Sequence, residues 1–158
     1  MKKTILLLAI LSTLLTACSK NKVFEKYTKI ENYKWKRDNL ITFDVDIKDI
    51  KTNYDVTLAL RHTTYYAFAN IKVDVAITFP SGEVRTKYYN IFVRNNDGSF
   101  LGDGAGDLWD VTYPVFTDIT FPDAGTYKFE VQNVMPIIEL PDIMDVGLIV
   151  RKAAKKSN

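Results

Sequence analysis

The chain has 158 residues, 47% hydrophobic, 25% charged and 13% aromatic, with 7 Gly, 5 Pro, one Cys and one His. That length suits one domain with its own core, and the composition excludes collagen-like, coiled-coil and disordered classes. One Cys permits no internal disulfide or cysteine-cluster metal site, and one His excludes paired-histidine zinc motifs.

The chain opens with Met1-Lys2-Lys3 and an apolar run from Ile5 to Leu15 broken only by Ser12 and Thr13. This is a secretory leader, too short for the ~20 residues that span a bilayer. Leu15-Thr16-Ala17-Cys18 has the form of a bacterial lipobox, in which small residues admit the chain to a peptidase and the Cys thiol receives diacylglycerol. Cys18 is therefore expected to become the lipidated N-terminus, with residues 1–17 cleaved and 18–23 forming the tether. Two or three acyl chains, at roughly 0.8 kcal/mol per buried methylene, hold a protein firmly to a membrane. The thiol is then spent, which removes cysteine catalysis. Ser19-Lys20-Asn21-Lys22 carries neither the Asp of inner-membrane retention nor an acidic surface-export cluster. The expected location is the periplasmic face of an outer membrane.

Of the 21 basic residues, Lys2 and Lys3 fall in the leader, leaving 19 against 19 acidic ones. A neutral mature chain argues against electrostatic nucleic-acid binding.

From Leu40 onward the apolar period is two. Ile41, Phe43, Val45 and Ile47 alternate with Thr42, Asp44, Asp46 and Lys48. Val56, Leu58 and Leu60 form a second series, and Ile71, Val73, Val75, Ile77 and Phe79 a third. Pro80-Ser81-Gly82 turns the chain into a partner strand over residues 83–93. Further strands are expected at 108–113, 119–121, 127–131 and 145–151, with a helical turn possible in 134–143. Such alternation gives sheets with one face inward, and the expected fold is all-β: an antiparallel β-sandwich of Greek-key or jelly-roll type over residues 24–152, with a closed barrel as the alternative. Residues 153–158 form a polar tail. Asp123-x-Gly125-x-Tyr127 resembles a tyrosine corner, in which the hydroxyl bonds back to nearby backbone.

The loop from Asn95 to Asp107 holds four glycines and three carboxylates, Asp97, Asp103 and Asp107. Its acid spacing fails the EF-hand, so a glycine-rich crossover between sheets is favoured and calcium is the weaker alternative. No Lys-Ser/Thr follows the glycines, which excludes a phosphate loop. His62 has no G-x-S-x-G partner and is read as a packing or surface residue, and nothing singles out a carboxylate pair for hydrolysis. No catalytic residue and no cofactor other than the lipid on Cys18 is expected. Aromatics such as Tyr33, Trp35, Phe68, Trp109 and Tyr113 exceed a core's needs. If Tyr65-Tyr66 and Tyr88-Tyr89 lie in strands, one ring of each pair faces out, which makes these four the interface candidates. A glycan-stacking platform is the other use of such rings.

Several of these residues together resemble the gliding motility lipoprotein family GldH of the Bacteroidetes. The resemblance runs from Tyr33-x-Trp35 to Arg151-Lys152. It includes Phe43-Asp44, Leu60-Arg61, Tyr65-Tyr66-Ala67-Phe68-Ala69-Asn70-Ile71, the loop Leu101 to Asp107, and Gly125-x-Tyr127. Its most specific stretch is Val131-Gln132-x-x-Met135 followed by Leu140-Pro141-x-Ile143-x-Asp145-Val146-Gly147-Leu148. Pro136, Asp142 and Ala67 stand where relatives often have Arg, Gly and Pro. The resemblance implies a non-enzymatic accessory of the gliding apparatus and its associated protein-secretion machinery, with other proteins of that machinery as partners. A glycan- or ligand-binding lipoprotein is the alternative function, and an enzyme acting on cell wall or glycan the third.

Overall fold

The computed structural model describes residues 21–154, so the leader, Cys18 and the last four residues lie outside the described residues. Eleven strands follow in chain order: β1 (Lys22–Lys29), β2 (Lys34–Lys36), β3 (Ile41–Ile47), β4 (Tyr54–Thr63), β5 (Asn70–Thr78), β6 (Val84–Phe92), β7 (Asp103–Ala105), β8 (Leu108–Ile119), β9 (Gly125–Asn133), β10 (Glu139–Pro141) and β11 (Ile143–Lys152). One sheet has the order β1-β11-β4-β8-β7 and the other β3-β9-β5-β6, every pairing antiparallel. Without the short β7, β2 and β10, eight strands remain in two four-stranded sheets. The chain alternates between the sheets in the order of a jelly roll. The expected sandwich is the fold, and it is not a closed barrel.

The period-two residues supply the core. Ile41, Phe43, Val45 and Ile47 of β3 and Ile71, Val73, Val75 and Ile77 of β5 face Val56, Leu58 and Leu60 of β4 and Val146, Leu148 and Val150 of β11. Each such side chain contributes roughly 1.5–3 kcal/mol by leaving water. Tyr127 closes one end as the sequence motif anticipates. Its hydroxyl donates to the Asp123 carbonyl at 2.9 Å, while the ring packs on Phe121 and Phe79.

Three elements differ from expectation. β1 begins at Lys22, inside the stretch assigned to the tether, and no alternation announces it because lysines line this edge strand. The segments expected at 108–113 and 119–121 belong to one long strand, or in the case of Phe121 to the buried turn after it. Pro114 is tolerated there because β7 covers only Leu108–Asp110, leaving the rest of β8 as an edge that needs no outward N–H. Residues 134–143 hold no helical turn; β10 instead pairs with β2 to cap the sandwich. Asn133 fixes that cap, donating to the Trp35 carbonyl at 3.0 Å and accepting from Met135 N–H at 2.9 Å.

The two ends of the sandwich are unlike. Residues 48–53, 79–83 and 120–124 are short turns at the end where β1 begins. The segments 30–40, 64–69, 93–107 and 134–142 gather at the other end.

Candidate interaction surface

The four tyrosines divide cleanly. Tyr89 is buried: its ring meets Tyr113 and Phe116, and its hydroxyl donates to the Val115 carbonyl of the facing sheet. Burial pushes its phenol up to about 12. Tyr66 is also buried, against His62 and Phe68, with its hydroxyl donating to the Asn70 carbonyl at 2.8 Å. Neither can meet a partner, so both leave the set of interface candidates. Tyr65-Tyr66 moreover lies in the turn after β4 rather than in a strand, and the Tyr66 N–H closes that turn on the Thr63 carbonyl at 3.2 Å.

Tyr65 and Tyr88 are outward, with 76% and 53% of their surface exposed. Tyr88 is not alone. Val84 and Phe92 stand on the same face of β6, each 57% exposed. They are four residues apart on either side of Tyr88, so the period-two backbone places all three in one row. Their partners across the pair with β5 are Thr78, Asp74 and Asn70, which cover little of the rings. On its other side β6 has no neighbouring strand among the described residues. The result is a stripe along an open sheet edge in which three large apolar side chains alternate with Thr86 and Asn90. Arg85 and Lys87 occupy the alternate positions and lie over the rings of Phe79 and Tyr89, at 4.7 and 5.1 Å from the centroids. Exposed cations on an edge deter indiscriminate strand pairing.

The glycine loop is built for packing. Gly102 has φ +93°, and a Cβ there would sit 2.2 Å from the Asp110 carbonyl oxygen. Gly104 lies flat on the Trp109 ring, where a Cβ would come within 3.0 Å. This lets the chain cross from β6 to β7 and β8 with little height. Asp97 is engaged locally, accepting from Ser99 N–H at 2.9 Å and Ser99 Oγ at 2.6 Å, which holds its carboxyl below the usual range. Asp97, Asp103 and Asp107 do not converge: no cluster of three metal-capable side chains occurs among the described residues.

His62 sits in the core, stacked near Tyr66 and Phe100, with Nδ1 2.9 Å from the Thr63 carbonyl and Nε2 buried without a hydrogen-bond partner. Burial pushes its pKa down. On the outer face of the first sheet Arg61 clasps Asp110 through Nε and Nη2, at 2.7 and 2.9 Å, and reaches Asp145 at 3.7 Å. A crevice of about 480 Å³ opens between β1 and β3 over Phe24 and Tyr54. Of its acids, Asp46 lies beside Lys48 at 3.7 Å and Asp49 is on Lys152 at 2.7 Å.

The sequence profile of the family described as GldH lipoprotein matches residues 22–150. The chain belongs to that family. A protein named gliding motility lipoprotein GldH, of Flavobacterium johnsoniae, is 31% identical over 155 residues, covering 94% of this chain and 94% of that protein. A second, named gliding motility lipoprotein GldH homolog, of Christiangramia forsetii, is 29% identical over 147 residues, covering 89% and 90%. Among solved structures, the VP2 subviral particle of infectious bursal disease virus aligns with 84% of this chain and 33% of its own, at 15% identity and a TM-score of 0.38. That likeness is slight.

The burial also explains the residues that carried the family resemblance. Trp35 is wholly buried, donating from Nε1 to the Asn39 carbonyl at 3.0 Å, and Met135 and Leu140 are buried around it. Arg37 donates to the carbonyls of Met135 and Ile137, holding the segment after β9 against the β2 end. What sequence reasoning missed is the company of Tyr88. Val84 and Phe92 share its phase with polar Thr86 and Asn90, while Tyr89 shares the phase of Ile91 and Val93. That contrast was present in the sequence.

Proposed function

We propose that this GldH family protein is a non-enzymatic subunit of the gliding motility machinery and its associated protein-secretion apparatus. It is held by a lipid on Cys18 at the periplasmic face of the outer membrane and engages another protein of that machinery. The observation that carries the reading is the Val84–Tyr88–Phe92 stripe on the open β6 edge. Such an edge receives an extended partner segment through backbone hydrogen bonds, and alternate side chains select which segment. Aromatic anchors in the centre of such a contact cost about 2 kcal/mol or more when truncated. The names of the two relatives support the motility setting, and the lipobox supports the anchor. The non-enzymatic reading is supported by the fate of the two usual nucleophile and base candidates. Cys18 is committed to lipid, and His62 is sealed in the core. A glycan platform is less well supported, because Tyr33, Tyr65 and Tyr88 belong to different elements.

The test is replacement of the chromosomal gene by Tyr88→Arg and Phe92→Glu variants in the organism's own cells. Loss of colony spreading and of protein secretion, with normal amounts of folded lipoprotein, is the expected outcome. Normal motility and secretion in both variants would overturn the reading.

A further inference from the structure

The way the chain enters the fold decides which end of the sandwich meets the membrane. Asn21 is already fixed: its carbonyl accepts the Lys152 N–H at 2.8 Å, pinning it to the end of β11. Only Ser19 and Lys20 separate it from Cys18. Fully extended, three residue steps reach about 10 Å. The ten residues of β4, at about 3.3 Å each, make the sandwich roughly 33 Å tall. A lipid on Cys18 therefore holds the β1 end close to the bilayer and cannot hold the other end there.

Two orientations satisfy that tether, end-on and lying on the β1–β3 flank. The flank mixes signs: Asp44 and Asp46 of β3, both exposed, would face a layer of lipid phosphates together with Lys22, Lys26 and Lys29 of β1. The end presents the 48–53 loop, where Ile50 is 46% exposed and is flanked by Lys48 and Lys51. Asp49, the acid in this loop, is taken up by Lys152 at 2.7 Å. An apolar side chain between two lysines suits the boundary between headgroups and acyl chains, with the lysine stems apolar and their ammonium groups among phosphates.

Resting on the anchoring reading above, we propose that the protein stands end-on, with Ile50 seated at the level of the lipid headgroups. The four segments at the far end, with Tyr65 and Ile138 exposed there, then face away from the membrane. The β6 edge runs upward from the surface, so a partner strand would pair with it along the membrane normal.

The experiment uses the full lipidated chain in vesicles of phosphatidylethanolamine and phosphatidylglycerol that contain a lipid spin-labelled near its headgroup. Cys18 is blocked by its lipid, so Ile50→Cys, Asp44→Cys and Tyr65→Cys each supply one thiol for an environment-sensitive fluorophore. Fluorescence at position 50 should be quenched several-fold more than at 44 or 65. Equal quenching at all three positions, or quenching strongest at 44, overturns the end-on orientation. Failure of the unlabelled protein to float with vesicles overturns the anchor itself, and the orientation with it.

Discussion

Acidification should weaken this fold through one residue, His62. The Nδ1 atom faces the Thr63 carbonyl at 2.9 Å, so it carries the ring proton, and Nε2 is left as a lone pair buried beside Tyr66 and Phe100. Protonating Nε2 would place a charge in an apolar enclosure. Burial is the main cause of the depressed pKa; Arg94 adds to it, while the Thr63 carbonyl, Asp110 and Asp142 oppose it. The sign follows. Above the ordinary histidine value of 6.5 neither state binds the proton, and the full stability is present. As pH falls below it, the unfolded chain binds a proton that the folded chain refuses. Stability then declines by at most about 1.4 kcal/mol per pH unit until the folded pKa is reached. Urea unfolding between about pH 7.5 and pH 5.5 should therefore show falling stability, with a loss of no more than about 1.4 kcal/mol at the lower limit. Carboxylates held low by partners, such as Asp97 beside Ser99, lose their contribution only at more acid pH. The decisive comparison is His62→Phe, which keeps a ring in the core and should flatten the profile in this window. An undiminished slope in that variant would refute the assignment to His62.

Gly102→Ala should cost about 2–3 kcal/mol, since it adds a backbone clash at 2.2 Å to a φ of +93°, whereas Gly82→Ala, with open space and φ +87°, should cost about 1 kcal/mol in the same thermal melts. Tyr127→Phe should lose about 1 kcal/mol by leaving the Asp123 carbonyl without its hydroxyl donor, read from the urea midpoint. Adding a chelator should leave the melting temperature unchanged, because Asp97, Asp103 and Asp107 do not converge on a cation; a large drop would favour the calcium reading.

The strands that form the centre of each sheet were legible because their two faces differ. Ile71 to Phe79 could be read in full from alternation, and so could Ile41 to Ile47. Edges were harder. β1 is mostly exposed on both faces and rich in lysine, so burial leaves no period in it. Short β2 and β10 owe their existence to Trp35 and Leu140 packing under the cap, a tertiary effect with no local signature. The same physics governs the surface residues. Alternation shows that Tyr88 and Tyr89 point apart, and the phase of Ile91 and Val93 shows which one is inside. Tyr65 and Tyr66 sit in a turn, where no period applies, and only the contacts of Tyr66 with His62 and Asn70 separate their fates.

The central claim is that the open β6 edge is where this protein meets a protein partner. Site-specific photocrosslinking in living cells tests it most directly, with a photoreactive amino acid placed at Tyr88, at Phe92 and, as a control, at Asp46 on the far strand of the same sheet. The account predicts discrete adducts with a protein of the motility or secretion machinery from positions 88 and 92, and none from 46. Adducts from 46 alone, or adducts from 88 and 92 that contain glycan and no protein, would contradict it.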